Sequence, residues 1–105
     1  MLISSFFPGR VRLRAPIFKD DEICAKALSI LQTSDAVKSV ERNPVTGSIL
    51  LLYDTKKVPM DKLVPMQKFF MSLAKEATHF DIRNRQKILD MLDELKKIVS
   101  EWKDF

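Results

Sequence analysis

Arginines occupy every second position of the segment Pro8-Gly9-Arg10-Val11-Arg12-Leu13-Arg14-Ala15-Pro16. A guanidinium is a planar fork of donors, suited to bidentate contact with carboxylates or phosphates in a way that a lysine is not. On a strand, period-two spacing puts Arg10, Arg12 and Arg14 on one face and turns Val11, Leu13 and Ala15 to the other. The charge is also local. Residues 1–19 hold four basic residues and no acid, residues 20–80 hold eight of each sign, and residues 81–105 hold six of each. The whole formal charge of +4 therefore comes from this one segment. A solvated outer face of an amphipathic strand also carries charge, but the exclusive use of Arg and its confinement point to a site. Gly9, Arg10, Arg12 and Arg14 are the candidate residues for a partner or an anion.

Other side chains capable of chemistry are sparse. Cys24 is the single cysteine, which excludes an internal disulfide and fits a reducing compartment. It falls beside the apolar stripe of an expected helix and reads as a core thiol. His79 is the only histidine, so no histidine pair exists. Met60, Met66 and Met71 would suit a soft ion, but helical methionines next to Phe69 and Phe70 read as core gap-fillers. Asp20-Asp21-Glu22 opens a helix, where the dipole favours carboxylates and disfavours a bound cation. With two glycines in the chain there is no phosphate-cradling loop, and no nucleophile elbow or catalytic carboxylate pair stands out. No enzyme, no cofactor and no metal ligand is expected.

These residues must be positioned by few elements. A chain of 105 residues with 46% hydrophobic and 30% charged content suits one globular core. No run approaches the roughly 20 apolar residues that span a bilayer, and no secretory leader pattern is seen. A cytoplasmic protein follows, free to dock at the periphery of a membrane compartment. Residues 2–15 read as one strand, interrupted by a bulge at Pro8-Gly9. A helix capped by Asp20 or Asp21 carries Ile23, Ala27, Ile30 and Leu31 inward and ends near Thr33-Ser34. Val37–Arg42 is a strand, residues 43–47 a turn, and Ser48–Tyr53 a strand whose Ile49-Leu50-Leu51-Leu52 run is apolar on both faces. A second helix buries Leu63, Phe69, Phe70, Leu73 and Ala77, with Pro65 kinking or opening it. Thr78–Ile82 is the sole candidate for a fourth strand. Ile88, Leu92, Leu95, Val99 and Trp102 then repeat at spacings of four and three, the seam of an amphipathic helix.

The order predicts an α+β protein: a ferredoxin-like βαββα(β) antiparallel sheet with two helices on one face, plus an extra C-terminal amphipathic helix. Residues 1–80 form the domain, and residues 81–105 the helix, packed on that domain or on a partner. Leu50, Leu52, Leu92, Leu95, Val99 and Trp102 are candidates for an apolar interface. If the fourth strand is missing, an open sheet edge and the seam would suit a homodimer.

The span from Val37 to Asp54 resembles the second and third strands of heavy-metal-associated domains, through the spacing of Asn43, Thr46-Gly47 and Tyr53-Asp54. The resemblance covers roughly residues 9–77 and implies the βαββαβ sandwich. Chaperones of that family hold copper or zinc with Met-x-Cys-x-x-Cys between the first strand and helix, where two thiolates meet a soft ion. Here the stretch reads Ala15-Pro16-Ile17-Phe18-Lys19-Asp20-Asp21-Glu22-Ile23-Cys24, so that mechanism does not carry over. Gly9-Arg10-Val11-Arg12-Leu13-Arg14 is similar to a cysteine-free subgroup with a Gly-Arg-x-Arg-x-Arg segment. That subgroup occurs at the N-termini of metal-transporting P-type ATPases and in accessory proteins of iron-storing ferrosomes. The resemblance implies a non-catalytic adaptor of bacterial metal homeostasis, with iron as the expected metal. Its partner would be a metal-transporting membrane ATPase or a storage-compartment protein, met at an acidic surface or through anionic headgroups. A soft-metal chaperone is the alternative. Single-stranded nucleic-acid binding is a further one, disfavoured because the third strand lacks interleaved aromatics.

Overall fold

The computed structural model describes residues 2–102. Two strands open the chain, β1 (Leu2–Phe7) and β2 (Arg10–Arg14). They are joined by Pro8-Gly9 and paired antiparallel, Phe7 opposite Arg10 and Phe6 opposite Val11. The expected single strand over 2–15 is thus a hairpin. Proline fixes its own φ and Gly9 takes φ +83°, the Pro-Gly order of a type II turn, so the chain reverses where a bulge was expected. A side chain at Gly9 would also meet the Tyr53 carbonyl at 3.0 Å.

A short 3-10 turn, Pro16–Lys19, leads to α1 (Asp21–Gln32). Asp20 is the cap, its Oδ1 accepting the Ile23 N–H at 3.1 Å. Strands β3 (Val37–Asn43) and β4 (Ser48–Tyr53) follow, joined through a turn in which Asn43 Oδ1 accepts the Val45 N–H. The remaining elements are a single helical turn, α2 (Met60–Leu63), then α3 (Gln67–Thr78) and α4 (Arg85–Ser100). Pro65 sits in a 3-10 turn, Val64–Met66, between α2 and α3 and so opens the long helix rather than kinking it.

The sheet runs β1-β2-β4-β3, antiparallel throughout. The expected fourth strand at Thr78–Ile82 does not form. Residue 78 still ends α3, and Asn84 folds the next segment into a turn, accepting the Asp81 N–H and donating to the Glu76 carbonyl and carboxylate. The sheet position beside β2 is filled instead by β1 from the other end of the chain.

One face of the sheet is covered by α1, α3 and α4. Leu13, Ile49 and Leu51 meet Ile23 and Ile30 of α1, Phe70 and Leu73 of α3, and Ile88 and Leu92 of α4. Ile23, Cys24 and Ile88 are fully buried there. Arg85 bridges the start of α4 to the start of α1, its Nε 2.7 Å from Asp20 Oδ2 and its Nη2 2.7 Å from Glu22 Oε1. Lys26 and Asp93 tie the same helices at 2.6 Å, and Lys87 reaches Glu76 of α3 at 3.0 Å. The exposed pairs among these contribute about 0–1 kcal/mol each, whereas burying one Ile or Leu contributes about 1.5–3 kcal/mol. Apolar packing holds α4, and the ion pairs link it to α1 and α3.

Candidate functional site

The other face of the sheet has no helix on it among the described residues. Register places Arg10 opposite Leu52, Arg12 opposite Leu50 and Arg14 opposite Ser48. Directly paired residues share a face, so the arginine row lies beside Leu50 and Leu52 with side-chain roots about 5 Å apart. Across β1, Phe7 is opposite Arg10 and Ser5 opposite Arg12. Across β4, Glu41 is opposite Leu50 and Ser39 opposite Leu52. Arg12 and Arg14 are exposed, while Arg10 is partly covered. Arg10 Nη1 donates to Ser5 Oγ at 3.3 Å, and Arg14 Nε donates to the Thr46 carbonyl at 3.2 Å. The structure therefore brings Arg10, Arg12, Arg14, Leu50 and Leu52 together, with Gly9 making the turn that starts the row. Phe7 and Glu41 flank the patch. Phe7 could be found only by knowing that Pro8-Gly9 reverses the chain.

Same-face neighbours on a strand stand about 7 Å apart. Two unit charges at that distance repel by about 0.6 kcal/mol in water and about 2.4 kcal/mol at an effective dielectric of 20. The free protein tolerates the row. Covering it with a neutral or basic surface would be resisted, and an anionic surface would be favoured. The half-buried Leu50 and Leu52 give such a surface something to desolvate. The central strands present arginine and leucine on this face, not the stacking aromatics with which sheet modules hold single-stranded RNA.

The loop between β2 and α1 is where a metal-handling relative would hold its ion. Here Ile17 and Phe18 are buried in the core. Arg42 of β3 reaches the same place, its Nε donating to the Phe18 carbonyl at 3.0 Å and its Nη1 2.9 Å from Asp21 Oδ1. Cys24 is fully buried, and that burial pushes its thiol pKa up, away from the thiolate a soft ion requires. A fixed cation, two apolar side chains and one protonated thiol do not fit a metal ion. Among the described residues no group of three histidine, cysteine or acidic side chains is clustered for one either.

The C-terminal seam is used inside the chain. Leu92, Leu95 and Val99 are buried, and Trp102 packs partly against the same core. The apolar interface expected of them is thus made with α1 and the sheet of the same chain. A helix tethered by a six-residue connection meets its own domain at a high effective concentration, without the entropy cost of recruiting a second molecule. Residues 103–105 of the expected helical span lie outside the described residues. The methionines also depart from expectation: Met66 packs on the core, but Met60 and Met71 are exposed. On the helix side, beyond the core proper, an apolar groove of about 400 Å³ opens between β1 and α2–α3, with Ile3, Phe6, Tyr53, Leu63, Phe70 and Trp102 on its walls.

Fold and site together define a small ferredoxin-like α+β module with one basic, helix-free sheet face. The family model described as heavy metal associated domain 2 matches residues 1–102, and the chain belongs to that family. Comparison with curated proteins and with solved structures gave no match. Family membership places the chain among metal-associated domains. No helix among the described residues is long and apolar enough to cross a membrane.

Proposed function

We propose that this protein is a non-catalytic adaptor of bacterial metal homeostasis or storage, with iron as its metal, which docks on an acidic protein surface through β2. The observation that carries this reading is the face on which Arg10, Arg12 and Arg14 lie in register beside Leu52, Leu50 and Ser48. Each guanidinium would hold a carboxylate of the partner through two parallel N–H···O bonds, and the leucines would supply the water-excluding centre. Family membership supports the link to metal handling. The similarity of Gly9–Arg14 to transporter N-termini and ferrosome accessory proteins supports a metal-transporting membrane ATPase or a storage-compartment protein as partner.

The test is a pull-down from host extract with wild type against the Arg10→Gln/Arg12→Gln/Arg14→Gln variant, its folding checked by circular dichroism. A metal transporter or storage protein held by wild type and lost from the variant is the expected result. Equal capture by both overturns the docking role. Elemental analysis and titration after reduction address the chaperone alternative. The adaptor purifies without stoichiometric soft metal, and Cys24 resists alkylation until the chain unfolds. A tightly held soft ion that is lost in Cys24→Ala would replace the adaptor with a chaperone.

A further inference from the structure

Eight large apolar side chains stand more than half exposed among the described residues, and five of them belong to one side of the molecule. Ile3 (60%) and Phe6 (60%) lie on β1, and Met60, Val64 and Met71 lie on the α2–α3 segment. The groups are continuous. Ile3 and Phe6 wall the 400 Å³ groove together with Leu63 and Phe70, and the same Leu63 and Phe70 wall an adjoining groove with Met60, Val64 and Met71. Scattered exposed hydrophobics need no explanation, but a contiguous set does.

We propose that this edge, distinct from the arginine-bearing sheet face, is a shallow docking surface for an anionic lipid bilayer. Charge selects the occupant. Residues 54–75, which form one wall of both grooves, carry five lysines against two aspartates. An apolar patch set among lysines is the arrangement that binds an interface, the apolar groups entering the headgroup boundary while the ammoniums meet anionic lipid. A second copy of the chain would instead set Lys56, Lys57, Lys62 and Lys68 against their own like, which costs free energy where lipid phosphate would gain it. Backbone chemistry sets the depth. β1 ends the sheet order, so its outer N–H and C=O groups have no strand beside them among the described residues. Such groups cannot enter hydrocarbon, but they are satisfied at the hydrated headgroup level. The β1 edge therefore rests in the interface and does not insert.

Flotation of the full chain with vesicles tests this, using phosphatidylcholine alone and phosphatidylcholine mixed with phosphatidylglycerol. Wild type is expected to float with the mixed vesicles and not with the neutral ones, less so as salt rises. Phe6→Ser/Met71→Ser, two exposed positions, should weaken binding by about tenfold or more. Arg12→Gln/Arg14→Gln should weaken it less. Trp102, the only tryptophan, lines the groove, so brominated anionic lipids should quench its fluorescence without any substitution. The proposal is overturned if wild type fails to float, if neutral vesicles serve equally, or if the Phe6/Met71 variant floats like wild type. A stronger loss from the arginine pair would assign the lipid contact to the other face. Light scattering that shows a dimer without lipid, dissociated by the Phe6/Met71 substitutions, would assign the patch to a second copy. Each of these results is separate from the pull-down that tests the adaptor reading.

Discussion

Ile49 and Leu50 are consecutive residues of β4, and they show how differently the two faces of one sheet are used. Ile49 points to the helices, is 2% exposed, and pairs with Leu13 inside the core. Leu50 points the other way and lies between Arg12 and Glu41 on the face without helices. Beneath α1 and α4 the helix side closes its apolar groups within the chain, down to the seam of α4, and it stays open only along the groove between β1 and α2–α3. The open side leaves two leucines half-covered beside a row of fixed charge. An interior selects volume and shape, so its substitutions register as stability. A docking face selects charge and spacing, so its substitutions should register as binding and leave folding nearly untouched.

The largest expected effect tests that division directly. Ile49→Ala should cost about 2–5 kcal/mol of unfolding free energy, the range for a buried aliphatic truncated to a methyl. Leu50→Ala should cost less than about 1.5 kcal/mol, since its side chain gives up only partial burial. Urea denaturation of both variants measures the pair. Equal costs would mean that Leu50 is covered in the free protein, and that the open face is part of a core.

Much of this contrast was legible in the sequence. The alternation of Arg10, Arg12 and Arg14 with Val11, Leu13 and Ala15 assigned both faces of β2, and Asp20 or Asp21 marked the start of α1. The Asn43 to Gly47 turn and the apolar run of β4 were equally plain, because turn chemistry and periodicity are local signals. Three features were not legible. Leu2-Ile3-Ser4-Ser5-Phe6-Phe7 does not alternate, so nothing in it announced a separate strand, although Pro-Gly is itself a turn signal. The position left by the missing fourth strand is filled from the far end of the chain, a tertiary choice without a local signature. Met60 and Met71 looked like core residues because residue type carries no record of whether a helix face is finally covered. The arginine row was found, but its flanks, Phe7 and Glu41, depend on strand order and register.

A smaller effect separates the two means by which the helix side is held. Asp20 caps α1 through the Ile23 N–H and also receives Arg85 from α4. The Arg85 hydrogen bond, helped by that cap and opposed by partial burial, holds its carboxyl below the ordinary carboxylate range. A depressed folded-state pKa stabilises the fold above the unfolded-state value, near 3.9, and that contribution is lost as pH falls through the folded value. Asp20→Ala should cost about 0.5–2 kcal/mol at neutral pH, as other cap deletions do. Asp20→Asn keeps a side-chain oxygen for the cap but cannot ionise. It should be the milder change, and its stability should vary less with pH below about 4. Denaturation curves at neutral and acid pH measure both. If Asn and Ala are equally costly and equally insensitive to acid, the charge matters and the cap does not.

The smallest expected effect belongs to Arg14, and its smallness is informative. Its side chain is exposed, and its Nε meets the Thr46 carbonyl at 3.2 Å at the end of the row. Exposed polar contacts of this kind contribute little once water replaces them, and surface substitutions usually stay within about 0.5 kcal/mol. Removing one of three like charges also relieves about 0.6 kcal/mol of repulsion from its nearest neighbour in water, which offsets the lost hydrogen bond. Arg14→Ala should therefore leave the urea midpoint nearly unchanged while weakening capture of the acidic partner. If Arg14→Ala instead destabilises the chain as much as a core truncation does, the arginine row is an element of the fold. The two faces of the sheet would then differ in chemistry without differing in role.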